Sequence, residues 1–131
     1  MKVIHVSGKR KHAIARVTLK PGSGKVKINN LNIDHHEPKL VRMRIKEPLI
    51  LAKDVADKVD ISINLIGGGV MGQADAARLA IGRALVKHNS KLKELFLDYD
   101  RQLLVADIRR KECSKPNSQG QARAKRQKSY R

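Results

Sequence analysis

The stretch ISINLIGGGVMGQADAARLAIGRALVKH, residues 61–88, places a strand pattern, a glycine turn and a helix pattern in direct succession. Residues 61–65 alternate apolar and polar side chains, which is typical of a half-buried strand. Gly67, Gly68 and Gly69 then end this pattern. Residues 72–88 repeat apolar and small side chains at helical spacing, which favours close packing of a helix on a sheet. The predicted buried face consists of Ala77, Ile81, Ala84, Leu85 and His88.

The segments before this stretch predict a small antiparallel β unit. Extended patterns occupy residues 3–6, 13–19 and 25–28, and Pro21-Gly22-Ser23-Gly24 is a strong turn signal. The polar and charged segment from Ser7 to Lys11 is expected to interrupt the first strand.

Helices are predicted on both sides of the central stretch. Glu37-Pro38 and Glu47-Pro48 predict helices near 38–45 and 48–58, because proline is favoured at the first helical position. Residues 91–97 predict a short helix, and residues 103–108 predict a last strand.

The charge of the chain lies at its two ends. The 131 residues carry a net charge of +17. Residues 1–33 have eight basic residues and no acid, residues 34–108 have twelve and eleven, and residues 109–131 have nine and one, Glu112. We therefore divide the chain into a globular domain, 1–108, and an extended basic tail, 109–131. Two such blocks would repel each other without counter-charge, and a phosphate polyanion is the partner they favour. The alternative is a pair of solvated, disordered charge runs that serve as a localisation signal.

Several classes of protein are disfavoured by composition. No apolar run approaches the ~20 residues of a membrane span, and the start MKVIHVSGKRKH lacks the apolar stretch of a secretory signal. The single cysteine, Cys113, excludes an internal disulfide framework. The histidines have no spacing typical of a metal site, and no local nucleophile motif is present. We therefore expect a cytoplasmic, non-enzymatic protein without a metal or cofactor.

The glycine loop permits more than one interpretation. Gly67, Gly69 and Gly72 match G-x-G-x-x-G, but Gln73 and Ala74 stand where a P-loop has its Lys and its Ser or Thr. The loop is then a tight strand-to-helix turn, or a turn whose backbone N–H groups approach an RNA phosphate. A small nucleotide-binding enzyme is the alternative function, and a free basic regulator of DNA is a third.

Base stacking is disfavoured as a main mode of RNA binding. The chain has only Phe96, Tyr99 and Tyr130 as aromatic residues, and it lacks the aromatic sheet motif of an RRM. Contacts of basic side chains with the RNA backbone are the remaining mode.

Five segments in colinear order carry a family resemblance. They are Gly8-Lys9-Arg10-Lys11-x-Ala13-x-Ala15-Arg16, Gly67-Gly68-Gly69-x-x-Gly72-Gln73-Ala74, Arg78-Leu79-Ala80-Ile81-x-Arg83-Ala84-Leu85, Asp107-x-Arg109-x-x-Glu112 and Ala122-Arg123-x-x-x-Gln127-Lys128-Ser129-Tyr130-Arg131. Together they resemble the small-subunit ribosomal protein S-nine family, the universal ribosomal protein nine of the small subunit. The terminal segment favours its archaeal or eukaryotic type.

The resemblance implies a fold and a place of action. The fold is an α+β two-layer sandwich like domain two of ribosomal protein S-five, with about four strands, packed helices, a left-handed βαβ crossover and the basic tail. The function is that of a structural constituent of the small ribosomal subunit, bound in the subunit head to the 3′ major domain of the rRNA. The other implied partners are neighbouring head proteins and peptidyl-site tRNA, whose anticodon stem-loop the tail approaches.

The candidate site residues follow from the charge blocks and this resemblance. Those expected to bind rRNA are Lys9, Arg10, Lys11, Arg16, Gly68, Gly69, Gln73, Arg109, Arg110, Lys111, Lys115, Arg123, Lys125 and Arg126. Those that the resemblance places near tRNA are Lys128, Ser129, Tyr130 and Arg131.

Overall fold

A computed structural model of the protein describes residues 2–125 and residue 130. These residues form a sheet with helices packed on one face. The strands are β1 (Ile4–Arg10), β2 (Ala13–Pro21), β3 (Val26–Ile28), β4 (Leu31–Asn32) and β5 (Val59–Ile66). The helices are α1 (Lys39–Leu51), α2 (Lys53–Ala56), α3 (Val70–His88) and α4 (Leu92–Tyr99), and two short 3₁₀ helices span Ile33–His35 and Arg101–Leu103. The predicted α+β class is confirmed.

The described part of the chain forms a five-stranded sheet in the order β1-β2-β5-β3-β4. β1, β2 and β5 pair antiparallel, whereas β3 pairs parallel to β5. The expected antiparallel N-terminal unit is therefore correct for the β1–β2 and β3–β4 pairs, but β5 separates the two pairs and lies parallel to β3. The connection through α1 and α2 is long enough to return the chain for a parallel pairing, which a short turn cannot do.

The core lies between the sheet and α3. Alternate residues of β2 and β5 point to the helices and are buried, while their neighbours point away. The four apolar residues of the predicted face of α3 are fully buried, and His88 is half-buried. α3 lies close to β1. A Cβ on Gly8 would be only 2.6 Å from the Ala76 carbonyl oxygen, so the strand needs glycine at this point. The small side chains of this helix allow that approach.

β1 is longer than its polarity suggested. It continues through the segment that was expected to interrupt it and ends at Arg10, which pairs with Ala13. The backbone pairing with β2 is continuous, and the exposed face of the strand accommodates Ser7 and Lys9. One face of an antiparallel sheet tolerates polar side chains, so their presence does not end a strand.

The two helices predicted to start at prolines differ from the observed ones. α1 starts at Lys39 and runs through Pro48, and only the short α2 follows it. Val41, Ile45 and Pro48 are buried together on one face of α1. This burial outweighs the backbone hydrogen bond that proline cannot donate. No helix in residues 2–125 is long and apolar enough to cross a membrane.

The predicted strand at residues 103–108 is absent. Leu103 ends a 3₁₀ helix and is buried, and residues 106–110 have neither helical nor strand pairing. A Cβ on Gly82 would lie 2.5 Å from the Leu103 carbonyl oxygen, and Arg83 Nε donates to the Leu104 carbonyl oxygen at 3.1 Å. These contacts hold Leu103 and Leu104 against α3.

Candidate nucleic-acid interface

The end of β1 directs its basic residues to two different sides of the sheet. Lys9 lies on the face without helices, because successive residues of a strand alternate. Arg10 points toward the helical layer, where its Nη2 lies 3.3 Å from Asp107 Oδ2 and its Nε lies 3.8 Å from Asp75 Oδ2. The turn residue Lys11 has φ +54° and is exposed. The three residues of the predicted basic segment 9–11 therefore point in different directions and do not form one patch.

The root of the tail is fixed at the same place. Asp107 accepts hydrogen bonds from the Arg109 backbone N–H at 3.0 Å and from Arg109 Nη2 at 2.8 Å. The side-chain hydrogen bond from Arg109 is the main cause that holds the pKa of Asp107 well below its usual range. Arg10 Nη1 donates to the Arg109 carbonyl oxygen at 3.3 Å. Asp107 therefore joins the first basic block to the second.

The two basic blocks line one cleft of about 500 Å³. Its lining residues are Arg10, Lys11, His12, Arg109, Arg110 and Lys111. Asp107 forms ion pairs with Arg10 and Arg109, and its single negative charge offsets one of their two positive charges. Lys11, Arg110 and Lys111 are exposed and form no ion pair with any described residue. The positive charge of the cleft is therefore available to an external anion.

The glycine loop packs directly behind this cleft. Gly67 and Gly68 have φ values of +72° and +66°, and a Cβ on them would lie 2.7 Å from the His12 carbonyl oxygen and the Ala13 nitrogen, respectively. Both need glycine for conformation and for close approach. The tight-turn interpretation of the loop is thereby confirmed for these two residues.

The other two candidate residues of the loop lie at the start of α3. Gly69 precedes the helix, and a Cβ there would meet no atom within 4 Å. Gln73 Nε2 donates to the Gly67 carbonyl oxygen at 3.0 Å, so its amide stabilises the turn. A contact of Gly68, Gly69 or Gln73 with RNA stays a prediction.

Arg78 is a buried cation whose role the sequence did not indicate. Its Nη2 lies 2.6 Å from Glu47 Oε2 and 2.9 Å from Asp100 Oδ2, and the residue is only 5% exposed. Burial alone would lower the pKa of Arg78, but the hydrogen bonds to Asp100 and Glu47 raise it overall. Arg78 joins α1, α3 and the segment before the last 3₁₀ helix. The sequence contained one signal for this role: Arg78 lies among alanines in the helical pattern, where a buried side chain is expected.

The remaining candidate residues that the structure describes do not line the cleft. Arg16 is exposed on the face of the sheet that carries no helices. Lys115 forms an ion pair with Glu112, and Arg123 Nε lies 3.1 Å from Glu112 Oε2. Lys125 and Tyr130 are exposed, and Tyr130 is 85% accessible. Arg126, Lys128, Ser129 and Arg131 lie outside the described residues.

The described residues do not form a metal site. No group of three or more His, Cys, Asp or Glu side chains among residues 2–125 and 130 is arranged to hold a metal ion. Cys113 is exposed.

Comparison with known proteins identifies the family that carries this arrangement. The family described as "Ribosomal protein S9/S16" matches residues 8–131, which include the glycine loop, the second basic block and the first basic block from Gly8 onward. The chain belongs to the ribosomal protein S9/S16 family. The resemblance expected from the five sequence segments is confirmed.

The chain is similar to uS9 proteins from several archaea. The chain is 51% identical to "Small ribosomal subunit protein uS9" of Methanococcus maripaludis over 134 residues, with both chains covered completely. It is 50% identical over 133 residues to the protein of that name from Methanothrix thermoacetophila, again with full coverage of both chains. The S9/S16 member of Methanococcus vannielii is 48% identical over 134 residues.

Proposed function

We propose that this ribosomal protein is a non-enzymatic structural constituent of the cytoplasmic small ribosomal subunit, which binds rRNA through the cleft and the basic tail. The observation that carries this proposal is the convergence of Lys11, Arg110 and Lys111 on one cleft without intramolecular counter-charge. Both ends of the chain contribute to it. An external polyanion removes the repulsion that such a convergence would otherwise produce.

The cleft contains two kinds of basic residue: those that position the tail root and those that bind RNA. Arg10 and Arg109 form ion pairs with Asp107 and hold the tail root in place. The exposed cations around them are free to contact phosphate oxygens, and each contact releases counterions from the RNA. Arg110 in particular offers a planar fork that matches two phosphate oxygens.

The tail extends the interface beyond the cleft. Residues 111–125 have neither helix nor strand, and their basic side chains are exposed. Residues 109–131 can span about 75 Å when extended. Between rRNA phosphates, Lys115 and Arg123 exchange Glu112 for RNA, while Lys125 and Arg126 add further contacts. In this proposal the chain works as a globular RNA-binding domain, 1–108, with an extended basic tail, 109–131.

The finer architecture and location follow from the family resemblance. A parallel β3–β5 pair, with α1 and α2 in the connection, is compatible with the left-handed βαβ crossover of a sandwich like domain two of ribosomal protein S-five. We place the protein in the head of the subunit, on the 3′ major domain of the rRNA and beside other head proteins.

The end of the tail contacts peptidyl-site tRNA in this proposal. Lys128, Ser129, Tyr130 and Arg131 match the family's terminal segment, and Tyr130 is exposed enough to pack on a ribose or a base. Removing Arg131 alone should raise the dissociation rate of peptidyl-site tRNA from small subunits and leave their assembly intact. Failed assembly with unchanged tRNA release would make the tail an assembly element instead.

The rRNA interface is tested by the salt dependence of binding. A Lys11→Gln, Arg110→Gln, Lys111→Gln variant removes three cleft cations, and a Lys53→Gln, Lys87→Gln, Lys93→Gln variant removes three exposed cations of the helices. The RNA is a transcript of the 3′ major domain of Methanococcus maripaludis small-subunit rRNA. The slope of log K against log salt is negative for RNA binding. In the cleft variant its magnitude should fall by roughly 0.7–0.9 for each phosphate that the protein no longer neutralises. Equal slopes in the two variants would contradict the cleft as the interface.

A thermal melt separates this function from the nucleotide-binding alternative. The structural protein should show no stabilisation by millimolar ATP or NAD beyond general charge screening. A rise in melting temperature that depends little on salt would favour the enzyme.

A further inference from the structure

One face of the sheet has no helix on it. The helices pack on the side where Ala15, Val17, Ile61 and Ile63 are buried. On the other side, the side chains of β1, β2, β3 and β5 are exposed or half-buried. The strand registers align these residues in rows across the sheet. We call this surface the open face, and its residues are His5, Ser7, Lys9, Ile14, Arg16, Thr18, Lys20, Lys27, Asp60, Ser62, Asn64 and Ile66.

The open face is positively charged. It carries four cations, Lys9, Arg16, Lys20 and Lys27, and one acid, Asp60. None of the four cations forms an ion pair with a described residue. Asp60 accepts the backbone N–H groups of Ser23 and Lys25 at 2.9 and 3.0 Å. Its negative charge is therefore directed at the turn before β3, and the cations remain uncompensated.

The centre of the open face consists of polar side chains. Ser7, Arg16 and Asn64 form one row, and His5, Thr18 and Ser62 form the next. His5 Nδ1 lies 3.1 Å from Thr18 Oγ1. The two rows line a shallow depression of about 480 Å³. This surface presents hydroxyl and amide groups between cations, and its residues include no Phe, Tyr or Trp.

We propose that the open face is a second RNA-binding surface, which contacts the sugar–phosphate backbone and ribose 2′-hydroxyls without base stacking. The inference rests on the proposed rRNA-binding function and adds a surface that is separate from the cleft. Four uncompensated cations complement phosphates, and the hydroxyl and amide groups can exchange hydrogen bonds with 2′-hydroxyls. An apolar protein partner would find only Ile14 and Ile66 on this face.

Lysine acetylation of the native protein tests this surface directly. The protein is treated with a water-soluble acetylating reagent, free and bound to the 3′ major domain transcript, and labelling is read by mass spectrometry. Lys9, Lys20 and Lys27 should become protected from labelling in the complex, whereas Lys53, Lys87 and Lys93 on the helices should stay reactive. Unchanged labelling of the open-face lysines, or equal protection of both sets, would overturn the inference.

The same experiment distinguishes this inference from the proposed function. Lys115 and Lys125 report on the tail. If they are protected and the open-face lysines are not, the tail binds RNA and the open face does not. If neither set is protected, both proposals fail.

Matched charge variants give the second measurement. Lys9→Thr, Arg16→Thr, Lys20→Thr and Lys27→Thr together remove four cations, and threonine preserves strand propensity. Lys53→Gln, Lys58→Gln, Lys87→Gln and Lys93→Gln together remove the same charge from the other side. In the open-face variant, the magnitude of the slope of log K against log salt should fall by roughly 0.7–0.9 for each phosphate left without its cation. The variant should also show a smaller preference for an RNA duplex over a DNA duplex of the same sequence. Identical binding by the two variants, with both folded by circular dichroism, would contradict the inference.

Discussion

The Arg10 guanidinium lies 3.3 Å from the carboxylate of Asp107, and this ion pair links the first strand to the root of the tail. Their side chains are 14% and 17% exposed, so the contact is largely shielded from water. Arg10 also donates to the carbonyl oxygen of Arg109. The pair determines the direction in which the tail leaves the domain, next to the turn at Lys11.

Asp107→Asn should loosen the tail root without unfolding the domain. It removes the negative charge that holds Arg10 and Arg109, so both cations repel each other. We expect faster tryptic cleavage at Arg109, Arg110 and Lys111 in the free protein, and a modest fall in melting temperature at pH 7 because the stabilising carboxylate is lost. Asp98→Asn is the control, because Asp98 is exposed and forms no ion pair with a described residue. Equal cleavage rates in the two variants would show that Asp107 does not restrain the tail.

Arg78→Ala should destabilise the fold more than any exposed arginine does. It leaves Glu47 and Asp100 facing a partly buried gap without their shared cation. We expect a loss of about 2 kcal/mol in the free energy of unfolding, below the ~3–5 kcal/mol for fully buried pairs because both acids are about a third exposed. Urea unfolding measures it.

Two further variants define that effect. Arg78→Lys should recover only part of the stability, since an ammonium cannot bridge two carboxylates as a guanidinium fork does. Arg101→Ala removes an exposed arginine and should change stability by less than about 0.5 kcal/mol. A cost for Arg78→Ala as small as that of Arg101→Ala would refute the role of Arg78 as a bridge.

Gly68→Ala and Gly69→Ala should differ in stability although the residues are adjacent. Gly68 has φ +66°, and an added Cβ would lie 2.7 Å from the Ala13 nitrogen. The left-handed conformation alone costs an alanine roughly 1–2 kcal/mol, and the close approach adds to it. Gly69 has φ −95° and open space around its Cβ position, so Gly69→Ala should be nearly neutral. Similar denaturation midpoints for the two variants would contradict this account of the loop.

Deleting residues 110–131 should leave the free domain folded. The described side chains of this segment are mostly exposed and contribute none of the buried core. We expect the free energy of unfolding to change by less than about 1 kcal/mol. Deleting residues 104–131 is the comparison, because it also removes Leu104, which packs against the core, and the carbonyl that accepts from Arg83. An equally large destabilisation by both deletions would mean that the tail stabilises the domain.

Stability should fall as the solution becomes acidic. Hydrogen bonds from Arg109 lower the pKa of Asp107, and the backbone N–H groups of Lys25 and Ser23 lower that of Asp60. A carboxyl whose pKa is lower in the folded state stabilises the fold above its unfolded pKa of about 4. That contribution is lost as the pH falls through the folded pKa. Melting temperatures from pH 7 to pH 2 should drop less in an Asp60→Asn, Asp107→Asn variant than in the native protein. Parallel curves would exclude these two groups as the cause.

The sequence alone was sufficient to predict the elements that have a local pattern of residues. Alternation identified β5, helical spacing identified α3, and three glycines identified the turn between them. These features depend on interactions between residues close in sequence, which a pattern records directly. The positive charge of both ends was also evident, since it requires only counting.

Tertiary contacts decided the features that connect distant residues. β1 continues to Arg10 because β2 pairs with it, and α1 continues through Pro48 because one face of the helix is buried. The segment after Leu103 lies on α3 because Gly82 and Arg83 hold it there.

The candidate interface divides in the same way. Lys9, Arg10 and Lys11 form one basic run in the sequence, yet they point to the open face, the helical layer and the cleft, respectively. Strand alternation and the position of Asp107 separate them. A local sequence pattern could not predict the contact between Arg10 and Asp107, because the two residues are far apart in the chain. Composition determined that the protein is strongly basic, whereas folding decided which cations are neutralised internally and which remain for an external anion, because charge pairing depends on distances in space.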